Sequence, residues 1–398
     1  MLWTITLWIG VAGLVTSTAF VVLSFIGAWR FRKAQRSGAD STSDLPGVSL
    51  FKPLHGDEPE LERNLDTFFR QEYPRFEILF AARREDDAGL AIARRVASKY
   101  PQVRTKFIVT GEPPYPNAKV YSLQLMLAQA AHDFFVISDS DARVGGDYIR
   151  EVVEPLRDRS VGLISCVYRG VPVGGLWSRL EAMAMSVEMT SGVFVSNLLE
   201  EMRFALGPTM ATRRDAVEKI GGFDALGEYC SDDFVIGQLI ADAGYKVQLS
   251  QYVIGHCALN RSFKQSVRHQ VRWMRSTRRS RPAGHLGTAL TFCMPFALLG
   301  ALAGMASGNV MAAAVCLGFG WFNRTLQAAV VGGWALRDAH TLRYCWLYPV
   351  RDLLGFFYWA ASYTNSTVVW RDHCYYIERG GKMVLRETLN QQALRART

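Results

Sequence analysis

The sequence predicts a membrane-anchored α/β protein, with a mostly parallel sheet covered by helices and set between an N-terminal apolar helix and a C-terminal group of apolar helices. Three observations predict it. Residues 2–29 contain no charged side chain, and about 20 apolar residues suffice to cross the hydrocarbon core of a bilayer. Short apolar runs at 48–51, 76–81, 105–109 and 134–138 alternate with helical patterns at 61–69, 88–100 and 120–131, as parallel strands joined by crossover helices do. Beyond residue 284 the chain turns apolar again, in segments 287–305, 310–336 and 347–370.

The first run reads as a retained anchor. A cleaved secretory signal has a basic start, a shorter apolar core and a small-residue cleavage site, none of which is present. Arg30, Arg32, Lys33 and Arg36 follow the run, so the positive-inside rule places the N-terminus outside and the next residues in the cytoplasm. Residues 30–46, rich in Ser, Gly and Asp over 37–44, read as a linker, and 47–260 as the α/β domain. The seven cysteines are scattered with no C-x-x-C pair, which suits a reducing compartment and suggests neither a disulfide framework nor a zinc site.

The net charge of +9 is concentrated, since residues 261–281 carry eight Lys or Arg and no acid. Phe263, Val267, Val271 and Met274 recur at helical spacing, with Lys264, Arg268, Arg272, Arg275 and Arg279 on the adjoining arc. That pattern predicts an amphipathic interfacial helix over 261–283. Its place directly before an apolar stretch favours anionic lipid headgroups over nucleic acid as its partner. Residues 284–372 read as a membrane region of about three helices and 373–398 as a tail. Arg324 falls in the second apolar segment, and Arg351 and Asp352 in the third. An ionisable residue inside a span marks a functional site by default, but Arg324 could equally lie near a helix end or be paired structurally. The long α/β stretch and the absence of repeat symmetry argue against a transporter.

The sharpest chemical signal is Asp139-Ser140-Asp141 at the end of the apolar run 134–138. Alternate residues of an extended chain point the same way, and two carboxylates at the carboxyl end of a strand suit Mg²⁺ or Mn²⁺ bridging a diphosphate; a solvated acidic turn is the plainer reading. Asp86-Asp87 follows the run 76–81, and Asp232-Asp233 opens the helical pattern 234–243. Acidic residues there serve as helix caps, or one of them is a general base for an acceptor hydroxyl. His269-Gln270-Val271-Arg272-Trp273 offers a guanidinium fork for a diphosphate, or an interfacial anchor through Trp273.

In order and spacing these motifs resemble the ceramide glucosyltransferase family, including bacterial relatives associated with hopanoid lipids, within the GT-A class of inverting transferases. Further carriers are 48–54 (VSLFKPL), 64–69 (NLDTFF), Tyr73-Pro74 and Gly221-Gly222-Phe223. The resemblance runs over 48–281 and more loosely through the membrane segments and Trp370-Arg371. It implies a GT-A, Rossmann-like cytoplasmic domain in which Asp87 helps hold the nucleotide, Asp139 and Asp141 bind the metal, and Asp233 is the catalytic base. Arg272 and Trp273 match the family's (Q/R)-x-x-R-W motif, with His269 where Gln or Arg is usual. Lys52 and Lys119 either contact donor phosphates or are surface lysines.

The implied reaction transfers one sugar, of glucose or N-acetylglucosamine type, from a UDP-sugar to a lipid hydroxyl with inversion, at the cytoplasmic face of a bacterial inner membrane. A processive polysaccharide synthase shares the three aspartates and the R-W motif but resembles longer chains with more spans. A catalytically silent lipid-binding scaffold would not need every carboxylate cluster intact.

Overall fold

The computed structural model describes residues 1–34, 45–260, 262–370 and 373–386; the expected linker at 37–44, Arg371 and the end of the tail lie outside the described residues. The chain divides into two compact units, one comprising Gln35–Tyr168, Glu201–Cys257 and Val369–Thr398, the other Met1–Ala34, Arg169–Glu200 and Ala258–Val368.

The first unit is built on an eight-stranded sheet of β1 (Val48–Pro53), β2 (Phe76–Ala82), β3 (Arg104–Val109), β4 (Phe134–Ser138), β5 (Ala142–Arg143), β6 (Val161–Pro172), β7 (Thr209–Arg213) and β8 (Lys246–Ala258), in the order β3-β2-β1-β4-β7-β6-β8-β5. The half β3-β2-β1-β4 is parallel throughout. Its central strands are buried along nearly their whole length, which is why they appear in the sequence as unbroken apolar runs rather than alternating ones. Crossover helices Leu61–Phe69, Ala88–Ala97 and Ala118–Gln129 connect them. Phe51, Leu79, Met126, Phe135 and Ile137 join Val217, Phe223 and Ile236 in one apolar core. β4 pairs antiparallel with β7, β7 with β6, and β5 with β8. β1 and β4 run in register with Phe51 opposite Ile137, so both strands end at the same edge of the sheet, where ligands of α/β folds bind.

The second unit is helical. Leu2–Lys33 is 32 residues long, about 48 Å at 1.5 Å per residue, and is apolar enough to cross a membrane. It lies against Met294–Ala306, where a Cβ at Gly10 would stand 2.8 Å from the Gly300 backbone and one at Gly13 would enter the Phe296 ring. Small residues thus let helices approach where no hydrophobic effect drives them together. A second helix of sufficient length and apolarity is Leu176–Leu199, inside the region expected to be wholly α/β. Glu181 and Glu188 interrupt its apolar pattern, and a π-helical stretch, Ala184–Met189, forms its middle. Pro282–Thr291 and Met294–Ala306 together form a bent candidate span. Val310–Gln327 continues as a π-helix, Ala328–Ala335. In place of one segment over 347–370, the helix Tyr348–Ala361 is followed by a turn and the short strand Thr367–Trp370. The apolar helices make this a membrane-associated protein.

The basic helix spans Phe263–Ser280 and opens with a capping box, Ser262 and Gln265 bonding each other's backbone N–H. Part of its basic arc faces protein. Arg275 donates to the Thr367 carbonyl at 3.0 Å, Arg278 to the Asn365 carbonyl at 2.8 Å and Arg279 to the Ser366 hydroxyl.

Candidate active site

Asp139 follows β4 directly. Lys119, on the first turn of Ala118–Gln129, reaches its Oδ1 at 2.6 Å and lies 3.8 Å from Asp232 Oδ2. The helix start that presents Lys119 is capped by Asn117, whose Oδ1 accepts from the Val120 N–H while its Nδ2 donates to the Tyr229 carbonyl at 3.0 Å and to Asp232 at 3.3 Å. One asparagine therefore ties the lysine to the loop before Asp233. Burial alone would lower the Lys119 pKa, but Asp139 and Asp232 outweigh it and raise it, so this lysine is a fixed cation.

Asp233 sits in the first turn of the helix Asp232–Asp242. Its Oδ2 accepts from the Gly207 N–H at 2.9 Å and its Oδ1 from the Phe234 N–H at 2.8 Å. Burial, together with the neighbouring charge of Asp232, pushes its pKa up to about 6, where a general base working near neutral pH is best placed. A Cβ built on Gly207 would lie 3.2 Å from Asp233 Oδ2 and 3.7 Å from Asp139 Oδ2. The second and third aspartates thus flank the same small gap beside a glycine.

Asp141 has a different partner. His256 Nε2 meets its Oδ2 at 2.9 Å, placed there by the β5–β8 pairing of Ala142 with His256. Burial acts to raise the Asp141 pKa, but His256 overrides it and holds the carboxyl below its usual value. Its Oδ1 is buried with no hydrogen-bond partner. Burial raises Asp139 against the pull of Lys119.

Asp87 caps Ala88–Ala97, accepting from the Gly89 N–H at 2.8 Å and from the Gly56 N–H at 3.0 Å on both oxygens. Gly56 has φ +68°, a conformation that favours glycine. Two residues on, Glu58 accepts from the Ser140 hydroxyl at 2.5 Å. One loop after β1 therefore joins Asp87 to the turn between Asp139 and Asp141. Asp86 is exposed and pairs with Arg84.

Lys52, expected either at donor phosphates or on the surface, is fully buried instead. It donates to the Asp139 carbonyl, and the Phe68 ring lies 3.6 Å from its ammonium. Burial lowers its pKa to about 7 against the opposing carboxylates. With no exposed surface it acts on the site through the Asp139 backbone. Glu58, Gly207, His256 and Asn117's link to Asp232 are contacts that sequence reasoning did not anticipate.

His269, Arg272 and Trp273 belong to the helical unit. His269 Nδ1 lies 2.6 Å from Glu181 Oε1, Asn260 donates to both Glu181 oxygens at 2.9 and 2.7 Å, and the His269 and Trp273 rings are 4.4 Å apart. The Nδ1 edge of the His269 ring is thereby committed to a carboxylate that the sequence did not reveal as its partner. Arg324 is paired rather than free, with Asp352 at 3.2 Å and a further bond to the Thr291 carbonyl at 2.5 Å.

Ceramide glucosyltransferase 3 of Caenorhabditis elegans is 23% identical over 86% of this chain and 75% of its own length. Ceramide glucosyltransferase 1 of the same organism is 25% identical over 52% of this chain and 45% of its own, and the ceramide glucosyltransferase of Komagataella phaffii is 32% identical over 28% and 23%. This chain thus spans three quarters of the first relative and less than half of the other two. In fold it is similar to a mannosyltransferase from Pyrobaculum calidifontis solved in complex with GDP-Man and Mn2+, with TM-score 0.54 and 21% identity over 88% of this chain and 99% of that one; the shared architecture is that of GT-A glycosyltransferases. Residues 11–383 match the model of glycosyl transferase family 21, and the chain belongs to that family and is a glycosyltransferase.

Proposed function

We propose that this enzyme transfers a single hexose, of glucose or N-acetylglucosamine type, from a UDP-sugar to the hydroxyl of a membrane lipid, with inversion at the anomeric carbon. Ceramide or a hopanoid alcohol is the acceptor class, and the α/β unit works at the cytoplasmic face of a bacterial inner membrane. The observation that carries the reading is the approach of Asp233 and Asp139 to one gap at Gly207. Asp233 takes the proton of the lipid hydroxyl at Oδ2 as that oxygen attacks the sugar, while two backbone N–H donors hold the carboxylate in place. Lys119 supplies a fixed positive charge beside the departing diphosphate. Asp87 supports the nucleotide side through the Gly56 loop; Arg272 and Trp273, by their match to the family motif, are donor-binding residues, and His269, held by Glu181, belongs with them.

Mg²⁺ or Mn²⁺ fits the donor set, because the orphaned Asp141 Oδ1 and Asp139 Oδ2 are hard oxygens. No group of three protein ligands exists among the described residues, as expected for an ion that takes its remaining ligands from substrate phosphates and water. When bound, such an ion would neutralise charge on the diphosphate. Lys264 and Arg268, on the same basic helix, face anionic headgroups.

The test is to incubate purified protein with UDP-glucose, UDP-N-acetylglucosamine and UDP-galactose plus extracted membrane lipids, with and without divalent metal, and to identify products by mass and anomeric configuration by NMR. A lipid carrying one β-linked sugar is expected from an α-linked donor. A ladder of sugars would point to a processive synthase, and no lipid product from any pair would overturn the proposal.

A further inference from the structure

The loop leading into Asp232–Asp242 is held on two sides within the α/β unit. On one side stands the cap of the Lys119 helix, where the Asn117 N–H donates to the Gly227 carbonyl at 3.0 Å and its side chain holds the Tyr229 carbonyl. On the other is a hairpin near the C-terminus, His373–Ile377 paired antiparallel with Met383–Leu385, far from the motifs in sequence. Its tip clasps the loop by backbone. The Cys230 N–H donates to the Gly381 carbonyl at 3.0 Å, the Met383 N–H donates to the Glu228 carbonyl at 2.7 Å, and Tyr229 and Lys382 form a β-bridge. Lys382 also meets the Glu228 carboxylate at 2.8 Å. Gly380 and Gly381, at φ +95° and +92°, make the tight turn possible.

We infer that residues 380–383 are a positioning strap for the catalytic base: by adding a strand to the 228–230 loop they fix where Asp232 and Asp233 enter their helix relative to Asp139 and Lys119. The inference rests on Asp233 being the base. Backbone bonds carry the hold, so it depends on the donor N–H of residue 383. Because Asp139 directly follows β4, on the far side of the site from the strap, loss of the strap displaces the base more than Asp139. Turnover should then fall while nucleotide binding persists.

The experiment compares three variants with wild type: truncation after Glu378, Met383→Pro, which deletes the donor, and Met383→Leu, which keeps both the donor and the volume of the buried side chain. Turnover with UDP-glucose and the acceptor lipid, the dissociation constant for UDP with Mn²⁺, and hydrogen–deuterium exchange of the 228–235 amides are measured on each. A displacement on the order of 1 Å at a reacting group lowers rate by roughly tenfold to a hundredfold. That loss in kcat is expected for the truncation and for Met383→Pro, with UDP affinity within about twofold and faster exchange confined to 228–235, while Met383→Leu stays near wild type. Unchanged kcat in Met383→Pro, UDP affinity falling in step with kcat, or a Met383→Leu defect as large as that of Met383→Pro would overturn the strap. Asp233→Asn is run alongside: if it keeps full turnover, the base assignment fails, while the exchange data still show whether the hairpin holds the loop.

Discussion

The two units each hold charged side chains away from water, and they do so in opposite ways. In the α/β unit, Asp139, Asp141, Asp232, Asp233 and Glu58 gather, among the described residues, around Lys119, Lys52 and His256, leaving negative charge in excess and an orphaned Asp141 oxygen. In the helical unit, the two buried arginines each meet a carboxylate: Arg324 with Asp352 at 3.2 Å and Arg351 with Glu188 at 3.0 Å. Asp352 has a second task, since its Oδ2 accepts from the Cys293 and Met294 N–H groups at the start of a helix. A surplus of buried like charge is a device for binding a counter-charge and for tuning a base. A matched buried pair is architecture, expensive to break and of little net worth when replaced whole.

Four experiments break or sharpen this contrast. The largest effect is expected from Asp233→Asn, where loss of a general base lowers kcat by roughly 10²–10⁴-fold, with the lipid product assayed by mass; a loss under tenfold would remove Asp233 from that role. Next, Arg324→Leu strands a buried carboxylate and should lower stability by about 3–5 kcal/mol. Adding Asp352→Asn, which keeps an oxygen for the helix-start amides, should recover much of that loss in a detergent melting curve, whereas non-recovery would mean that the arginine matters beyond its pairing.

The pH profile comes third. Asp233 accepts a proton only when ionised, so with its pKa held up to about 6, kcat should climb to a plateau above that value and stand at roughly one-tenth of the plateau one unit below it. Asp232→Asn removes a like charge, lowers the Asp233 pKa and should move the acid limb to lower pH; a limb that stays put would show that Asp232 does not tune the base. The smallest effect belongs to Gly207→Ala. Its methyl would stand 3.2 Å from Asp233 Oδ2, a squeeze costing several-fold in kcat with little change in the melting point, and wild-type turnover there would mean that the gap is not where acceptor and donor meet.

The parallel half of the sheet was readable because local rules and global position agree there. Buried strands need unbroken apolar runs, and the observed bounds of Leu61–Phe69 and Phe134–Ser138 coincide with the runs at 61–69 and 134–138. The carboxylates were readable as residue types at strand and helix ends. What escaped was each contact set by antiparallel return: His256 reaches Asp141 across 115 positions and Asn117 reaches Asp232 across 115, separations at which no periodicity carries information. Lys52 was misplaced because a lysine at a strand end is ordinarily exposed, and burial depends on what covers it, here Phe68 and the turn after β4. Leu176–Leu199 was hidden by its own two glutamates, which look like solvent-facing residues until Glu181 meets His269 and Glu188 meets Arg351.

By itself the sequence determined the apolar N-terminal helix, the strand-helix alternation and the acidic motifs, since each depends on chemistry within a few neighbouring residues. Tertiary structure alone decided which carboxylates share a gap, which are already paired and which lysine is a fixed cation. Those properties depend on burial and on partners brought together from distant parts of the chain, and the free energy of a charge is set by what surrounds it.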